Sequence, residues 1–292
     1  MRKGNEGKIH NGADDNASGI AVMLELAKTL GKTHKPARTI IFIAFTAEEA
    51  GLVGSRYFAN NYKKYPINKI LANLNIDTVG RLFGRKLMVL NSNTAREWKF
   101  IFMGTDFTTG VASELITQDL DASDQMAFIE KGVPGVQLFF TGVGSDYHRP
   151  EDDADKIDID GLVKVATVTR EVLEYLAERE DSMTFTGKVV SGKPLIPQMG
   201  KRSGGRKAAT GLMPDFAYSG EGVRIAGVSD ESPAAKAGLV KGDVIIAFDG
   251  KPVKNLKDYS NYLKEQQPGD TVTFTVERNG EKKEVNITLS ER

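Results

Sequence analysis

The run "TIIFIAF", Thr39 to Phe45, is apolar at every position after its threonine and shows neither a helical nor an alternating period. A uniformly apolar segment this short fits a strand buried on both faces, and so calls for a sheet covered on each side. That requirement selects the α/β class. The surrounding text agrees. Ile20, Met23, Leu24, Ala27 and Leu30 form a helical stripe from about Ser18, closed by Gly31. Strands are predicted at Ile70–Asp77, Lys86–Leu90 and Val136–Phe140, and a long amphipathic helix runs through Leu162, Val165, Val172, Leu173 and Leu176. Residues 1–181 are therefore expected to form a mixed, twisted sheet flanked by helices.

From residue 182 to 208 the pattern fades into Gly-, Pro- and Lys-rich text, which predicts a linker, with "KRSGGRK" a solvated tether. Residues 209–292 follow a different grammar. Ser232 is placed to cap a short helix, with Pro233 at its first position and Gly238 past its end. "VTFTVERNGEKKEVNITL" alternates around Asn279-Gly280, a pair suited to a type I′ hairpin. A small β-rich domain is expected here.

Chemistry narrows with composition. Lys plus Arg (39) balance Asp plus Glu (39), so overall charge calls for no nucleic acid. No apolar run reaches the ~20 residues of a membrane span. The first ten residues carry no apolar core of a signal peptide. The chain has no cysteine, so a metal would be held by carboxylates and imidazoles.

Such groups cluster beside the predicted elements. "HNGADDNASG" crowds Asp14, Asp15 and Asn16 ahead of the first helix, and "TAEEAG" puts Glu48 and Glu49 after the apolar run. Asp77 ends the Ile70 strand, and His148 lies in "TGVGSDYHRPEDDADKID", after the Val136 strand. Crowded carboxylates repel unless a cation compensates them, and α/β sheets bind ligands beyond their strand ends.

Five motifs in order, "GADDNASG", "AFTAEEAGLVGS", "NLNIDTVGR", "SDQMAF" and "DYHRPEDDADKID", make the first domain resemble the clan MH co-catalytic dizinc aminopeptidases, the group of bacterial leucyl aminopeptidases and glutamate carboxypeptidase. The resemblance implies zinc and peptide substrates. It makes Asp15 the bridging ligand with a cis Asp15–Asn16 bond, Glu49 and His148 the further ligands of one zinc, and Asp77 a ligand of the other. Glu48 becomes the general base, and Tyr147 stands where some relatives set a tyrosine against the oxyanion. It also implies a secreted, periplasmic or cell-envelope location. Residues 209–289 resemble a PDZ domain of the bacterial protease-associated type. That resemblance implies a loop, Gly211-Leu212-Met213-Pro214, whose N–H groups would receive the C-terminal carboxylate of a peptide ligand.

Plainer roles are expected elsewhere. Asp14 and Asn16 suit helix caps, Glu151, Asp152, Asp153 and Asp155 suit surface charge, and His34 suits a loop. The family's His-x-Asp motif ahead of "GADDNASG" has no counterpart, since the three histidines precede Asn-Gly, Lys-Pro and Arg-Pro. The expectation is a catalytic domain incomplete at its N-terminus, holding one zinc well and a second weakly, with His10, on the motif's flank, the candidate to stand in for the missing ligand. Two alternatives stand beside it: a non-catalytic peptide-binding fragment and a glutaminyl-cyclase-like transferase.

Overall fold

The computed structural model describes residues 7–33, 35–118, 123–139, 146–189, 207–216, 218 and 220–291. His34 and most of the expected linker, 190–206, lie outside the described residues. The chain divides into two compact units, one including residues 10–141 and 146–189, the other including 207–291. Among the described residues no helix is long and apolar enough to cross a membrane.

In the first unit a wide helical turn, Ala13–Ser18, leads into α1 (Gly19–Thr33), followed by α2 (Val53–Asn61), β1 (Asn73–Ile76), β2 (Leu87–Leu90), α3 (Trp98–Thr109), β3 (Ser113–Leu115), α4 (Gln125–Ile129), β4 (Gly135–Phe139) and α5 (Ile159–Glu178). The strand order is β1-β4-β2-β3. β1 runs parallel to β4 and β2 to β3, while β4 and β2 are antiparallel, so the sheet is mixed as expected. Alternation along β4 sets the two faces. Val136 and Leu138 join a core with Val22 and Leu26 of α1, Trp98 and Phe102 of α3, and Val165 and Val172 of α5. Gln137, between them, instead accepts from Gln125 of α4 (3.2 Å). Asp158 caps α5, accepting from the Gly161 N–H at 3.0 Å.

The opening expectation is corrected here. Thr39–Phe45 forms no strand, and Ile41 is 37% exposed. Ile40 and Phe42 pack on the main core, and Phe45 packs with Phe58 and Phe128. Apolar content places side chains, but a strand also needs a neighbour for its backbone N–H and C=O groups. This segment and the outer side of β1 line a cavity of about 1120 Å³.

The second unit comprises β5 (Ala208–Ala209), β6 (Leu212–Pro214), β7 (Val223–Val228), α6 (Pro233–Lys236), β8 (Val244–Phe248), β9 (Lys251–Pro252), α7 (Leu256–Lys264), β10 (Thr271–Arg278), β11 (Glu281–Thr288) and β12 (Ser290–Glu291). The main sheet has the order β11-β10-β8-β7-β6, with β9 on β8; β12 pairs separately with β5. Ser232 caps α6 through the Ala235 N–H (3.2 Å). Asn279 and Gly280, both at positive φ, turn the β10–β11 hairpin with Arg278 opposite Glu281. Phe248, Tyr259 and Phe274 form an aromatic core, with the Phe248 and Phe274 centroids 5.0 Å apart.

One expectation shifts. Leu212–Pro214 is not loop but edge strand, paired with β7 through Val228, Gly227 and Ile225, because that neighbour accommodates its backbone groups. Gly211 remains before it at φ 76, where an added Cβ would lie 2.1 Å from the Ser232 Cβ. Only glycine fits there.

Candidate metal centre

Three segments distant in sequence bring their ligand-type side chains together. The first is the turn Ala13–Ser18, where the Asp15–Asn16 peptide is cis, as the motif implied. Asn16 fastens this turn to the end of β1. Its Nδ2 donates to the Ile76 carbonyl (2.9 Å), and its Oδ1 accepts the N–H groups of Gly19 (3.1 Å) and Thr78 (3.2 Å). Gly19 is required by this closeness, since a Cβ there would sit 2.3 Å from the Ile76 carbonyl oxygen. Asn16 therefore does more than cap a helix.

The second segment is the turn after Phe45. The Glu48 carbonyl accepts from the N–H groups of Gly51 (2.8 Å) and Leu52 (2.9 Å), and the chain then enters α2. Glu48 and Glu49 thus sit side by side on a closed turn. The third segment, Asp146–Pro150, carries His148 in the left-handed region (φ 57), with its ring stacked on Tyr147 at 3.8 Å.

Asp15, Glu49 and His148 meet. His148 Nε2 lies 2.9 Å from Asp15 Oδ2 and 2.8 Å from Glu49 Oε1, and the three donor atoms fall within 4.8 Å of one another. Burial alone would lower the His148 pKa, but hydrogen bonds to the two carboxylates push it up to about 9. Positive charge is thus favoured at this point. Two carboxylate oxygens and an imidazole nitrogen are a donor set that suits zinc, with positions left for water and substrate.

Asp77 does not join that close set, although it feels the charge of Asp15. Burial raises it to about 6 despite hydrogen bonds from Ser123 (2.6 Å) and Thr78 (3.0 Å). Burial, then Asp77, Glu49, Asp124 and Asp15, raise Glu48 to about 8. Burial, then Asp15, Asp77, Glu49 and Glu48, hold Tyr147 well above 10, so its phenol stays neutral and can donate a hydrogen bond. Asp15, Glu48, Glu49 and Asp77 all line the cavity beside Thr39–Phe45, as does His10, which is outside the ligand set.

Two expectations are corrected. Asp14, suited to capping, is instead 4% exposed and accepts the Gly80 N–H at 2.7 Å. Asp152, expected on the surface, is 3% exposed and accepts the N–H groups of Asp14 (3.0 Å) and Asp15 (3.1 Å). Glu151 and Asp155 are exposed as expected. Sequence reasoning also passed over Ser123 and Arg81. The motifs "SDQMAF" and "NLNIDTVGR" contained them, but only the folded chain shows what they touch.

With this geometry established, similarity to known proteins becomes informative. The profile of peptidase family M28 matches residues 3–173, and that of the PDZ domain matches residues 197–289. Aminopeptidase YwaD of Bacillus subtilis is 28% identical over 183 residues, covering 60% of this chain and 40% of that protein. The aminopeptidase from Aneurinibacillus sp. strain AM-1 superposes with a TM-score of 0.53 at 28% identity, over 60% of this chain and 42% of its own. The zinc aminopeptidase BSAP of Bacillus subtilis gives 0.53 at 27% identity, over 61% and 47%. The chain thus spans less than half the length of these relatives.

Proposed function

The chain belongs to peptidase family M28 and carries a PDZ domain after it, and on that premise we propose that it acts as an aminopeptidase on peptides, using zinc held by Asp15, Glu49 and His148. The observation that carries this reading is the convergence of those three side chains from segments up to 133 positions apart, between residues 15 and 148. Asp77, which feels the charge of Asp15, would hold a second ion. Among the described residues only the first position gathers three such side chains, so the second is the weaker.

Bound zinc supplies a polarised substrate carbonyl and a water acidic enough to lose its proton near neutral pH. Glu48, beside Glu49, would act as the base that accepts a proton from the attacking water and passes it to the leaving amine. Burial is the largest cause of its raised pKa, and a bound cation would offset the part that the neighbouring acids add. The neutral Tyr147 phenol donates to the developing oxyanion. A protonated substrate α-amine is drawn to the acidic cluster, which favours removal of N-terminal residues over internal cleavage. Residues 1–181 form the catalytic domain and 209–292 the PDZ domain, with the edge of β6 open to peptide addition.

A leucyl-anilide assay tests the reading. Chelation should abolish turnover and added zinc restore it; a rate indifferent to metal removal would contradict it.

A further inference from the structure

Behind the metal centre lies a buried charge cluster that the reaction itself does not use. Arg81 is 8% exposed and faces three carboxylates that are buried as deeply: Asp14 (4%), Asp146 (8%) and Asp152 (3%). Its Nη1 and Nη2 fork onto Asp146 at 2.5 and 2.9 Å, and Nη2 also reaches Asp152 Oδ1 at 2.8 Å. Nε stands 3.4 Å from Asp14 Oδ2, an ion pair by distance without hydrogen-bond alignment. Lys156 adds a rim contact to Asp146 at 3.0 Å.

We infer that Arg81, acting through Asp146 and Asp152, is a positioning residue that sets the distance between the ligands Asp15 and His148. The inference rests on the metal-site reading above. On one side, both Asp152 carboxylate oxygens accept the Asp14 N–H (3.0 and 3.1 Å), and Oδ2 also accepts the Asp15 N–H (3.1 Å), so Asp152 holds the backbone of the ligand itself. The Ala13 N–H donates to the Asp152 carbonyl as well (3.1 Å). On the other side, the segment bearing His148 is wound between the same anchors. The Arg149 N–H donates to the Asp146 carbonyl (2.9 Å) and the Asp152 N–H to the Arg149 carbonyl (3.2 Å).

One guanidinium therefore joins the two turns that carry the two ligands. The joint is stiff because a forked, planar cation meets a carboxylate with both nitrogens. Burial makes each partner dependent on the others, since a carboxylate left alone at this depth is costly. The cluster holds three carboxylates to one buried cation, with Lys156 at its rim.

Metal affinity tests this, with the full chain, three variants of the cluster, Arg81→Gln, Arg81→Lys and Asp152→Asn, and one control variant outside it. Zinc dissociation constants from competition with a chromophoric chelator should weaken by about 10- to 100-fold for Arg81→Gln and by about tenfold for Asp152→Asn, the usual range for lost partners of metal ligands. Arg81→Lys keeps the charge without the fork and should fall between wild type and Arg81→Gln. The visible absorption of the cobalt-substituted protein should shift in each, reporting altered coordination. Glu97→Gln loosens contacts to Thr184 (3.0 Å) and Arg179 (3.6 Å) and serves as the stability control; its zinc affinity and cobalt spectrum should match wild type. Should Arg81→Gln fail to fold, Asp152→Asn decides alone, because asparagine keeps the shape and one acceptor. A folded Asp152→Asn with wild-type zinc affinity and cobalt spectrum overturns the inference. A wild-type chain that binds no zinc overturns the metal-site reading and this inference together.

Discussion

The two units solve burial differently. In the second, every named strand has a ladder partner and the sheet closes over Phe248, Tyr259 and Phe274, with Asp243 the one buried charged residue among those described there. In the first, Thr39–Phe45 stays off the sheet, and the buried charges Asp14, Arg81, Asp146 and Asp152 sit behind a cluster of ligand-type residues. Apolar burial without charge stabilises; buried charge has to be matched partner by partner. The contrast teaches that the second unit is organised for stability, whereas the first spends stability to hold mutually repelling acids where a cation would be welcome.

The largest effect should come from the repelling acids. Glu48→Gln in the zinc-loaded protein is expected to lower kcat by a factor of about 10² to 10⁴ while metal content stays at the wild-type level, since Glu49 still ligates. Steady-state kinetics beside elemental analysis measure both. Near-normal turnover would remove Glu48 from its role and weaken the contrast at its functional end.

Next comes the apolar end. Phe274 is fully buried against Phe248 and Tyr259. Phe274→Ala should destabilise the second unit by about 3–5 kcal/mol, with zinc affinity unaltered. Thermal melts read the first quantity and chelator competition the second; a large change in zinc affinity would mean that the two units are not energetically separate.

What could be read from the sequence follows the same division. The hairpin at Asn279-Gly280 and the cap at Ser232 were legible because each depends on residues two or three positions apart. That Asp15, Glu49 and His148 would be candidate ligands is legible because their motifs are short; that their side chains meet appears only in the folded chain. Asp152 was not, since its role depends on a turn 137 positions away, and nothing local separates it from the exposed Asp155. Thr39–Phe45 departs from its apolar text in both respects: none of its residues is buried, with Ile40, Phe42 and Phe45 packing only partly on the cores, and it pairs with no strand, because pairing is a property of two segments.

A smaller effect is expected at the buried pair of the second unit. Burial alone would raise the Asp243 carboxyl, yet Arg278, bonded to it at 2.6 and 2.7 Å, and the Val240 N–H hold it below the usual range. A carboxyl depressed in the folded state contributes stability above its unfolded value near 3.9, and that contribution is lost as pH falls through the folded value. Arg278→Ala should cost about 2–3 kcal/mol at neutral pH, less than for a fully enclosed pair because Arg278 is partly exposed. The gap between variant and wild type should narrow below about pH 4. A gap independent of pH between 3 and 7 would argue against the pairing.

The smallest is local. Ser232→Ala removes the cap of α6 and should cost about 1 kcal/mol in a urea melt of the second unit, with no change at the metal centre.

The central claim is that Asp15, Glu49 and His148 form one zinc site, and titration of the metal-free chain with zinc, wild type against His148→Ala, tests it most directly. A tight wild-type site that weakens by at least about 100-fold when the imidazole is removed is the predicted result. Equal affinity in the two proteins would contradict it.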